Sequence, residues 1–363
     1  MPSLLDPIQL RSVEFRNRAW MSPMCMYSAA SDGSAVGQAT DFHLAHLGAR
    51  AAGGVGLVMV EATAVAAEGR ITPFDLGLWT EAQVEPLARI VRLIEAHGAV
   101  PGIQLSHAGR KASTARPWEG KGPVPVSEGG WLPAGPSPIA NPGLVVPREL
   151  AADELPGIVD AFAHSAGLAL AAGFKVVEIH GAHGYLIHSF LSPASNRRSD
   201  SFGGPEENRM RFPLQVVDAV RSAWPRELPV FYRTSATDWL DGPEPGWTGE
   251  ATNRLAVRLK EHGVDLLDVS SGGLVRTARI PLDPGYQVPF AAAARAASNI
   301  PTAAVGLIND PAHANAILAE GSADAVMLAR ALLRDPSWVQ HAALSLNATP
   351  SWPIQYSYAL ARG

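Results

Sequence analysis

Short apolar runs alternate with longer stretches of helical apolar spacing along most of the 363-residue chain. The apolar runs predict eight strands, near Ala19–Met24, Gly56–Glu61, Pro101–Leu105, Val176–His180, Pro229–Thr234, Leu266–Ser270, Thr302–Val305 and Ala325–Leu328. The stretches between them predict amphipathic helices over Glu81–His97, Asp153–Ala172, Glu206–Trp224, Glu250–His262, Pro289–Ala297 and Asp310–Glu320. Eight strands alternating with helices favour an α/β fold, a (β/α)8 TIM barrel forming one domain over residues 1–363.

A doubly wound sheet is the alternative fold. It is weakened because no G-x-G-x-x-G motif follows the first strands: Gly54 and Gly56 are followed by Met59 where a third glycine would stand. A Walker A motif is also missing, since Ala115 occupies the place of its first glycine.

Two segments depart from the regular alternation. Residues 109–147 are rich in Pro and Gly and are too long for an ordinary loop after the third strand. We expect an excursion over the barrel mouth that acts as a lid, or alternatively a packed surface loop. Residues 350–363 form a tail at the end of the chain.

Charge and cysteine content narrow the possible functions. The formal net charge of −5 gives no basic field for nucleic acid. The single cysteine, Cys25, excludes an intramolecular disulfide and fits a reducing, cytoplasmic compartment. The long apolar stretch from Ala161 to Ile179 is interrupted by polar residues and a Gly173 stop, so it predicts a helix and a strand instead of a membrane span.

The segment His180-Gly-Ala-His183-Gly-Tyr185 directly follows the fourth apolar strand. Ligands of parallel α/β folds bind at the carboxyl ends of the strands. There, two imidazoles could hold one substrate oxygen and a phenol could supply a proton. A metal pair or two histidines satisfied within a loop are the alternatives. A zinc or binuclear hydrolase needs further ligands that are hard to find in this sequence.

Strands seven and eight end in small residues that lead into helices. Gly306 follows strand seven and Arg330 follows strand eight. Phosphate commonly binds at this place in barrels, and Arg330 adds a positive charge. We therefore expect a phosphorylated ligand or cofactor here; the alternative is a simple turn at Gly306 and a surface ion pair at Arg330.

Several long motifs, in order, resemble the Old Yellow Enzyme family of flavin ene-reductases, and more narrowly its thermophilic-like (xenobiotic reductase-like) bacterial branch. The resemblance runs from about Leu5 to Tyr356. It rests on segments 22–27 (SPMCMY), 60–63 (VEAT), 102–111 (GIQLSHAGRK), 180–185 (HGAHGY), 195–209 (SNRRSDSFGGPEENR) and 324–330 (DAVMLAR).

The resemblance implies a barrel that holds FMN non-covalently and uses NADPH as hydride donor. The implied cofactor residues are Ser22, Pro23, Met24, Cys25, Ala62 and Gln104 around the isoalloxazine, Arg233 near its N1–C2 edge, and Gly306, Ala329 and Arg330 at the phosphate. The implied catalytic residues are His180 and His183 on the substrate oxygen with Tyr27 assisting, Tyr185 as proton donor, and Cys25 as a modulator of redox potential.

The implied activity is ping-pong reduction of activated C=C bonds in α,β-unsaturated carbonyl or nitro compounds, by a homodimer or homotetramer. Ala329 departs from the glycine usual in the family. The resemblance also implies that the tail, residues 350–363, reaches a neighbouring subunit, where either Tyr358 or Arg362 would enter the active site. A dienoyl-CoA-reductase-like flavoenzyme lacks support because one cysteine cannot hold its iron–sulfur cluster. A metal-dependent barrel hydrolase using His180 and His183 and a barrel that only binds its ligand remain alternatives.

Overall fold

The computed structural model describes residues 2–120, 122–240 and 246–360. Its centre is a closed barrel of eight parallel strands in the order β3-β4-β5-β8-β9-β10-β11-β12. The strands are β3 (Ala19–Met21), β4 (Leu57–Ala64), β5 (Val100–Ser106), β8 (Val176–Gly181), β9 (Val230–Ser235), β10 (Leu266–Ser270), β11 (Thr302–Ala304) and β12 (Ala325–Leu328). The barrel closes where β12 pairs with β3, in the register Met327 to Trp20. This closure confirms the predicted (β/α)8 barrel and rejects a doubly wound sheet, whose two edge strands would stay unpaired.

Helices surround the barrel, and short additional strands lie outside its sheet. The helices are α1 (Asp41–Ala52), α2 (Val84–Ala96), α3 (Leu155–Ala172), α4 (Leu186–Leu191), α5 (Glu206–Ala223), α6 (Gly249–Glu261), α7 (Val288–Ser298), α8 (Pro311–Ala319), α9 (Arg330–Arg334), α10 (Trp338–Ser345) and α11 (Ser357–Leu360). The additional strands are β1 (Ile8–Leu10), β2 (Val13–Phe15), β6 (Ala134–Gly135) and β7 (Arg148–Glu149). The sequence pattern predicted the barrel strands but missed helix α1, which contains two histidines and a glycine.

The amino-terminal end of the barrel is filled by aromatic side chains. The Trp20 ring lies 4.7 Å from that of Phe15 and 5.8 Å from that of Phe231. Phe15 comes from the β1–β2 hairpin, which therefore plugs the bottom of the barrel. Every second side chain of a barrel strand points into the interior. The interior side chains that come later in each strand therefore lie nearer the carboxyl end of the barrel. This end is left for polar chemistry.

Helix α3 is long and apolar enough to cross a membrane by length and composition alone. In the structure it packs against α2, α5 and strand β5 as part of the outer helical layer. It ends at Gly173, whose φ of +96° is a left-handed helix cap, and β8 begins three residues later. The predicted helix, glycine stop and strand are therefore found in this order.

The segment 109–147 lies along the mouth of the barrel. Arg110 donates to the carbonyl oxygen of Leu274 at 2.7 Å, and Asn141 donates to the same oxygen at 3.0 Å. Leu274 belongs to the connection that follows β10, so the segment is fastened across the carboxyl ends of the strands. A lid movement of this segment stays a prediction.

Candidate active site

The two histidines of the HGAHGY segment converge at the end of β8. His180 is 4% exposed, and its Nδ1 accepts the backbone N–H of Ala182 at 3.3 Å. The ring proton of His180 is therefore carried by Nε2. This Nε2 lies 3.4 Å from Nδ1 of His183, and the two rings are nearly perpendicular at 83°. Two imidazole nitrogens thus face one small volume.

The backbone of this segment requires its glycine. His183 and Gly184 both have left-handed φ values, +59° and +74°. A Cβ placed on Gly184 would lie only 2.6 Å from the carbonyl oxygen of Gly273. The close approach of these two loops therefore requires glycine at position 184.

Tyr185 completes this group. Its ring lies 5.0 Å from the His180 ring, at 77°. It packs in an apolar cluster with Cys25 and Tyr27, which come from the loop after β3. The structure thus brings together all five residues that the sequence predicted as catalytic.

Burial controls the protonation of these groups. It lowers the pKa of His180 and of His183 well below the usual value, and the nearby positive charge of Arg233 lowers both pKa values further. Burial also raises the pKa of Tyr185 well above the usual value. At neutral pH the site therefore holds two neutral imidazoles and a protonated phenol.

Lys111 ties the surrounding loops together. Its ammonium donates to the carbonyl oxygens of His183 at 2.8 Å and Gly273 at 3.1 Å. The same nitrogen lies 4.9 Å from the centre of the Tyr185 ring. Burial lowers the pKa of Lys111 to about 8. The loop that carries His183 and Tyr185 is thereby held from the side of segment 109–147.

Tyr27, Lys111 and Tyr185 border a cavity of about 360 Å³, a size that suits a small organic ligand. Tyr27, Lys111 and Tyr185 provide polar atoms, and Ile71 and Leu144 provide apolar surface. The wall of the cavity therefore carries both hydrogen-bonding groups and apolar surface.

A polar layer lies in the barrel interior below the histidines. Gln104 donates to Oε1 of Glu178 at 2.8 Å, and Nε of Arg233 lies 3.1 Å from Oδ2 of Asp268. Both carboxylates are fully buried. Burial raises the pKa of Glu178, with the charge of Asp268 adding to it, and burial also raises the pKa of Asp268. Asp268 thus pairs with the Arg233 guanidinium, whose charge acts on the pKa of Glu178 in the opposite direction to burial.

The sequence analysis did not single out Glu178 or Asp268. The available signal was period-two spacing. Glu178 stands two residues before His180 in β8, and Asp268 stands two residues before Ser270 in β10. Both carboxylates consequently point to the same barrel interior as a residue of the site.

The residues predicted to surround a flavin ring lie at the carboxyl ends of β3, β4 and β5. Ser22, Pro23, Met24 and Cys25 follow β3, Ala62 lies in β4 and Gln104 lies in β5. The Ser22 hydroxyl is buried and has no hydrogen-bond partner among the described residues. Such a buried orphan donor is rare in folded proteins and is commonly satisfied by a bound group.

The residues predicted at the phosphate line a second cavity of about 160 Å³. Gly306, Ala329 and Arg330 contribute to its wall together with Ser270, which also touches the histidine pair. Gly306 has a φ of +120°, and a Cβ there would lie 2.6 Å from Nε2 of Gln287. A side chain at this position would be strained by the backbone conformation and would displace Gln287.

Metal chemistry receives no support from the arrangement of side chains. Over residues 2–120, 122–240 and 246–360, no group of three or more His, Cys, Asp or Glu side chains comes together in a way that could hold a metal ion. The tail residue Tyr358 is 82% exposed, and Arg362 lies outside the described residues.

Comparison with known proteins explains this arrangement. The model of the NADH:flavin oxidoreductase / NADH oxidase family matches residues 3–348. The chain belongs to this family. Its relatives include an NADPH dehydrogenase of Geobacillus sp. (strain WCH70), 46% identical over 97% of both chains, and an NADPH dehydrogenase of Listeria welshimeri, 45% identical over 99% of both chains.

Solved structures of the family share the fold. The Old Yellow Enzyme homologue from Zymomonas mobilis superposes with a TM-score of 0.79 at 28% identity, covering 98% of this chain and 96% of that one. Morphinone reductase gives a TM-score of 0.79 at 28% identity, covering 98% and 93%. The predicted resemblance is confirmed, and the protein is an FMN-dependent nicotinamide nucleotide oxidoreductase of the Old Yellow Enzyme type.

The residues present fit FMN on structural grounds. The orphan hydroxyl of Ser22 and the buried guanidinium of Arg233 offer donors at the carboxyl end of the barrel. The cavity lined by Gly306 offers the Arg330 guanidinium for a phosphate. A flavin ring with hydrogen-bonding edges and a terminal phosphate has matching groups at both places.

Proposed function

We propose that the protein is an NADPH-dependent ene-reductase that reduces the activated C=C bond of enones, enals, maleimides and nitroalkenes. The observation that carries this proposal is the convergence of His180 Nε2 and His183 Nδ1 beside the Tyr185 ring. The pair offers two neutral donors to one oxygen, and the phenol lies next to them with its proton in place.

The histidine pair would activate the substrate. When its carbonyl or nitro oxygen accepts hydrogen bonds from both imidazoles, the negative charge that develops on this oxygen is stabilised. Donors in a buried site are effective because they are already oriented and need little reorganisation. The lowered pKa values of both histidines keep the donors neutral, so they do not protonate the oxygen outright.

Tyr185 would supply the proton to Cα. Its raised pKa keeps the phenol protonated throughout the neutral range, and a carbanion-like carbon is basic enough to take that proton. Tyr27 lies in the same cluster and would assist the oxygen contact, while Cys25 would modulate the redox potential from the same side.

The cofactor would be held by Ser22, Gln104 and Arg233 at the ring and by Ala329 and Arg330 at the phosphate. FMN held there would supply hydride transfer from NADPH to Cβ of the alkene, with reductant and substrate using the cavity in turn. NADPH is proposed as the donor because the relatives from Geobacillus and Listeria are NADPH dehydrogenases.

The cellular setting is part of the proposal. We propose a cytoplasmic homodimer or homotetramer in which the tail, residues 350–363, contributes to the neighbouring site. The side chain of Tyr358 is exposed and is therefore accessible to a second copy of the chain. Light scattering at defined protein concentration measures the oligomeric state, and a monomer would contradict it.

Anaerobic absorption spectroscopy tests the central proposal. The purified protein is loaded with FMN, reduced with NADPH and then mixed with cyclohexenone. We expect the visible flavin band to bleach with NADPH and to return with the enone. A band that bleaches but does not return with any of the proposed substrates would refute ene reduction while leaving the oxidoreductase assignment intact.

A further inference from the structure

A buried pair of side chains lies behind the loop that carries Cys25 and Tyr27. Oε1 of Glu61, in β4, lies 2.9 Å from Nε2 of His43, in α1. The two residues are 5% and 1% exposed. Nδ1 of His43 accepts the backbone N–H of Thr40 at 3.1 Å, so the ring proton is carried by Nε2 and is donated to the carboxylate.

The second carboxylate oxygen reaches the loop itself. Oε2 of Glu61 accepts the backbone N–H of Met26, the residue between Cys25 and Tyr27. The residue after Tyr27 is tied to the same helix, since Thr40 Oγ1 donates to the carbonyl oxygen of Ser28 at 3.0 Å. The amino end of α1 and the Glu61 side chain therefore grip this loop on both sides of Tyr27.

The backbone of the loop needs such a grip. Tyr27 has a φ of +51°, in the left-handed region that bulky residues rarely adopt. A residue held there is strained, and this conformation persists only when its surroundings over-determine it. The hydrogen bonds at Met26 and Ser28 provide this restraint.

We propose that Glu61 and His43 are positioning residues that fix the Cys25–Tyr27 loop in the active site. Their importance for turnover rests on the proposed function, in which Tyr27 contacts the substrate oxygen. The restraint on the loop itself rests only on the hydrogen bonds described above.

The carboxylate also sets the charge around the thiol. Burial raises the pKa of Cys25, and the nearby carboxylates of Glu61 and Asp75 raise it further. Arg233 acts in the opposite direction from the barrel interior, and the phenols of Tyr27 and Tyr185 lie in the same apolar cluster. Removing the Glu61 charge should therefore favour the thiolate.

The chain reports on this loop directly because Cys25 is its only cysteine. The rate of Cys25 alkylation by iodoacetamide is measured against pH on the FMN-loaded protein. In Glu61→Gln we expect the profile to move to lower pH, so that alkylation at a fixed pH below the pKa becomes about tenfold faster. In Glu61→Asp, which keeps the charge but cannot reach Met26, we expect faster alkylation without that shift.

His43→Phe tests the positioning by a second route. It keeps the carboxylate but removes the donor that orients it, so we expect the dissociation constant of a phenol ligand to rise about tenfold, as for a lost charge-assisted hydrogen bond. In a Tyr27→Phe background the same change should have no further effect, because the restraint acts through Tyr27.

His46→Gln is the matched control. His46 lies one turn further along α1, is 8% exposed and stacks on Phe42, away from the loop. The proposal is overturned if the alkylation rates of the Glu61 variants and the phenol affinity of His43→Phe stay within about twofold of the values for this control. If the variants show altered alkylation but the unsubstituted protein reduces no enone, the positioning role stands and the proposed function is refuted.

Discussion

Nε2 of His183 lies 2.8 Å from Oγ of Ser270, which stands at the end of β10, two strands away from β8 in the barrel. The adjacent Ser271 donates to Oε1 of Gln287 at 2.6 Å, whereas Ser270 is 3.4 Å from that oxygen. The Ser270 hydroxyl is thus available to donate to His183 Nε2. When Ser270 donates to Nε2, the His183 proton is carried by Nδ1, the nitrogen that faces His180.

Removing this hydroxyl should therefore weaken ligand binding. In Ser270→Ala the His183 ring loses the contact that selects its tautomer, and we expect the dissociation constant of a phenol ligand to rise about tenfold, the worth of one hydrogen bond. Spectral titration of the FMN-loaded protein measures this. Ser270→Thr, which keeps the hydroxyl, should bind nearly normally, and equal losses in both variants would contradict a hydroxyl effect.

Replacing both histidines should separate ligand binding from cofactor binding. In the His180→Ala, His183→Ala double variant we expect phenol affinity to fall about a hundredfold, since two donors of about 1–1.5 kcal/mol each are lost. FMN should stay bound, because the proposed cofactor residues are unchanged. Equilibrium dialysis of FMN and spectral titration with phenol provide the two measurements, and retained phenol affinity would refute the donor role.

Tyr185→Phe should slow one half-reaction selectively. The substitution removes the proton donor and keeps the ring that packs on His180. We expect reoxidation by cyclohexenone to slow about a hundredfold or more, a typical loss for a general acid. Stopped-flow absorbance should show reduction by NADPH nearly unchanged. An unaltered rate at saturating enone would exclude Tyr185 as the donor.

His107 should make stability depend on pH. Burial lowers the pKa of His107 from 6.5 to about 4, and its Nδ1 accepts the N–H of Gly109 at 3.0 Å. Between these two pH values the unfolded chain binds a proton that the folded chain does not, so stability falls as the pH falls, by up to about 1.4 kcal/mol per pH unit.

Urea unfolding across this pH range tests the effect. His107→Asn keeps an acceptor for Gly109 and removes the titration, so the decline should become shallower by one proton. His164→Asn, at an exposed position of α3, is the control and should leave the decline close to that of the original protein. A slope unchanged in His107→Asn would show that this imidazole does not titrate on unfolding.

The pattern of the sequence located the barrel strands well. β10 and β12 have the predicted bounds, and the other barrel strands differ at their ends by up to three residues. Apolar runs mark these strands because both faces of a parallel barrel strand are buried. Helix α1 was missed since it offers little apolar periodicity, and its contacts with strand β4 stabilise it instead.

Local sequence also determined which groups form the candidate site. His180, His183 and Tyr185 lie within six residues, and a strand followed by a glycine turn fixes their order and direction. Chemistry that depends on residues distant in the chain could not be deduced in this way. Glu61 meets His43 and Met26, and Ser270 meets His183, only because the closed barrel brings the ends of β3, β4, β8 and β10 to one mouth. Hydrogen bonds act over about 3 Å, so the tautomer of His183 and the conformation at Tyr27 were decided by the tertiary structure, whereas hydrophobic periodicity and turn residues, which act along the chain, had already determined the fold.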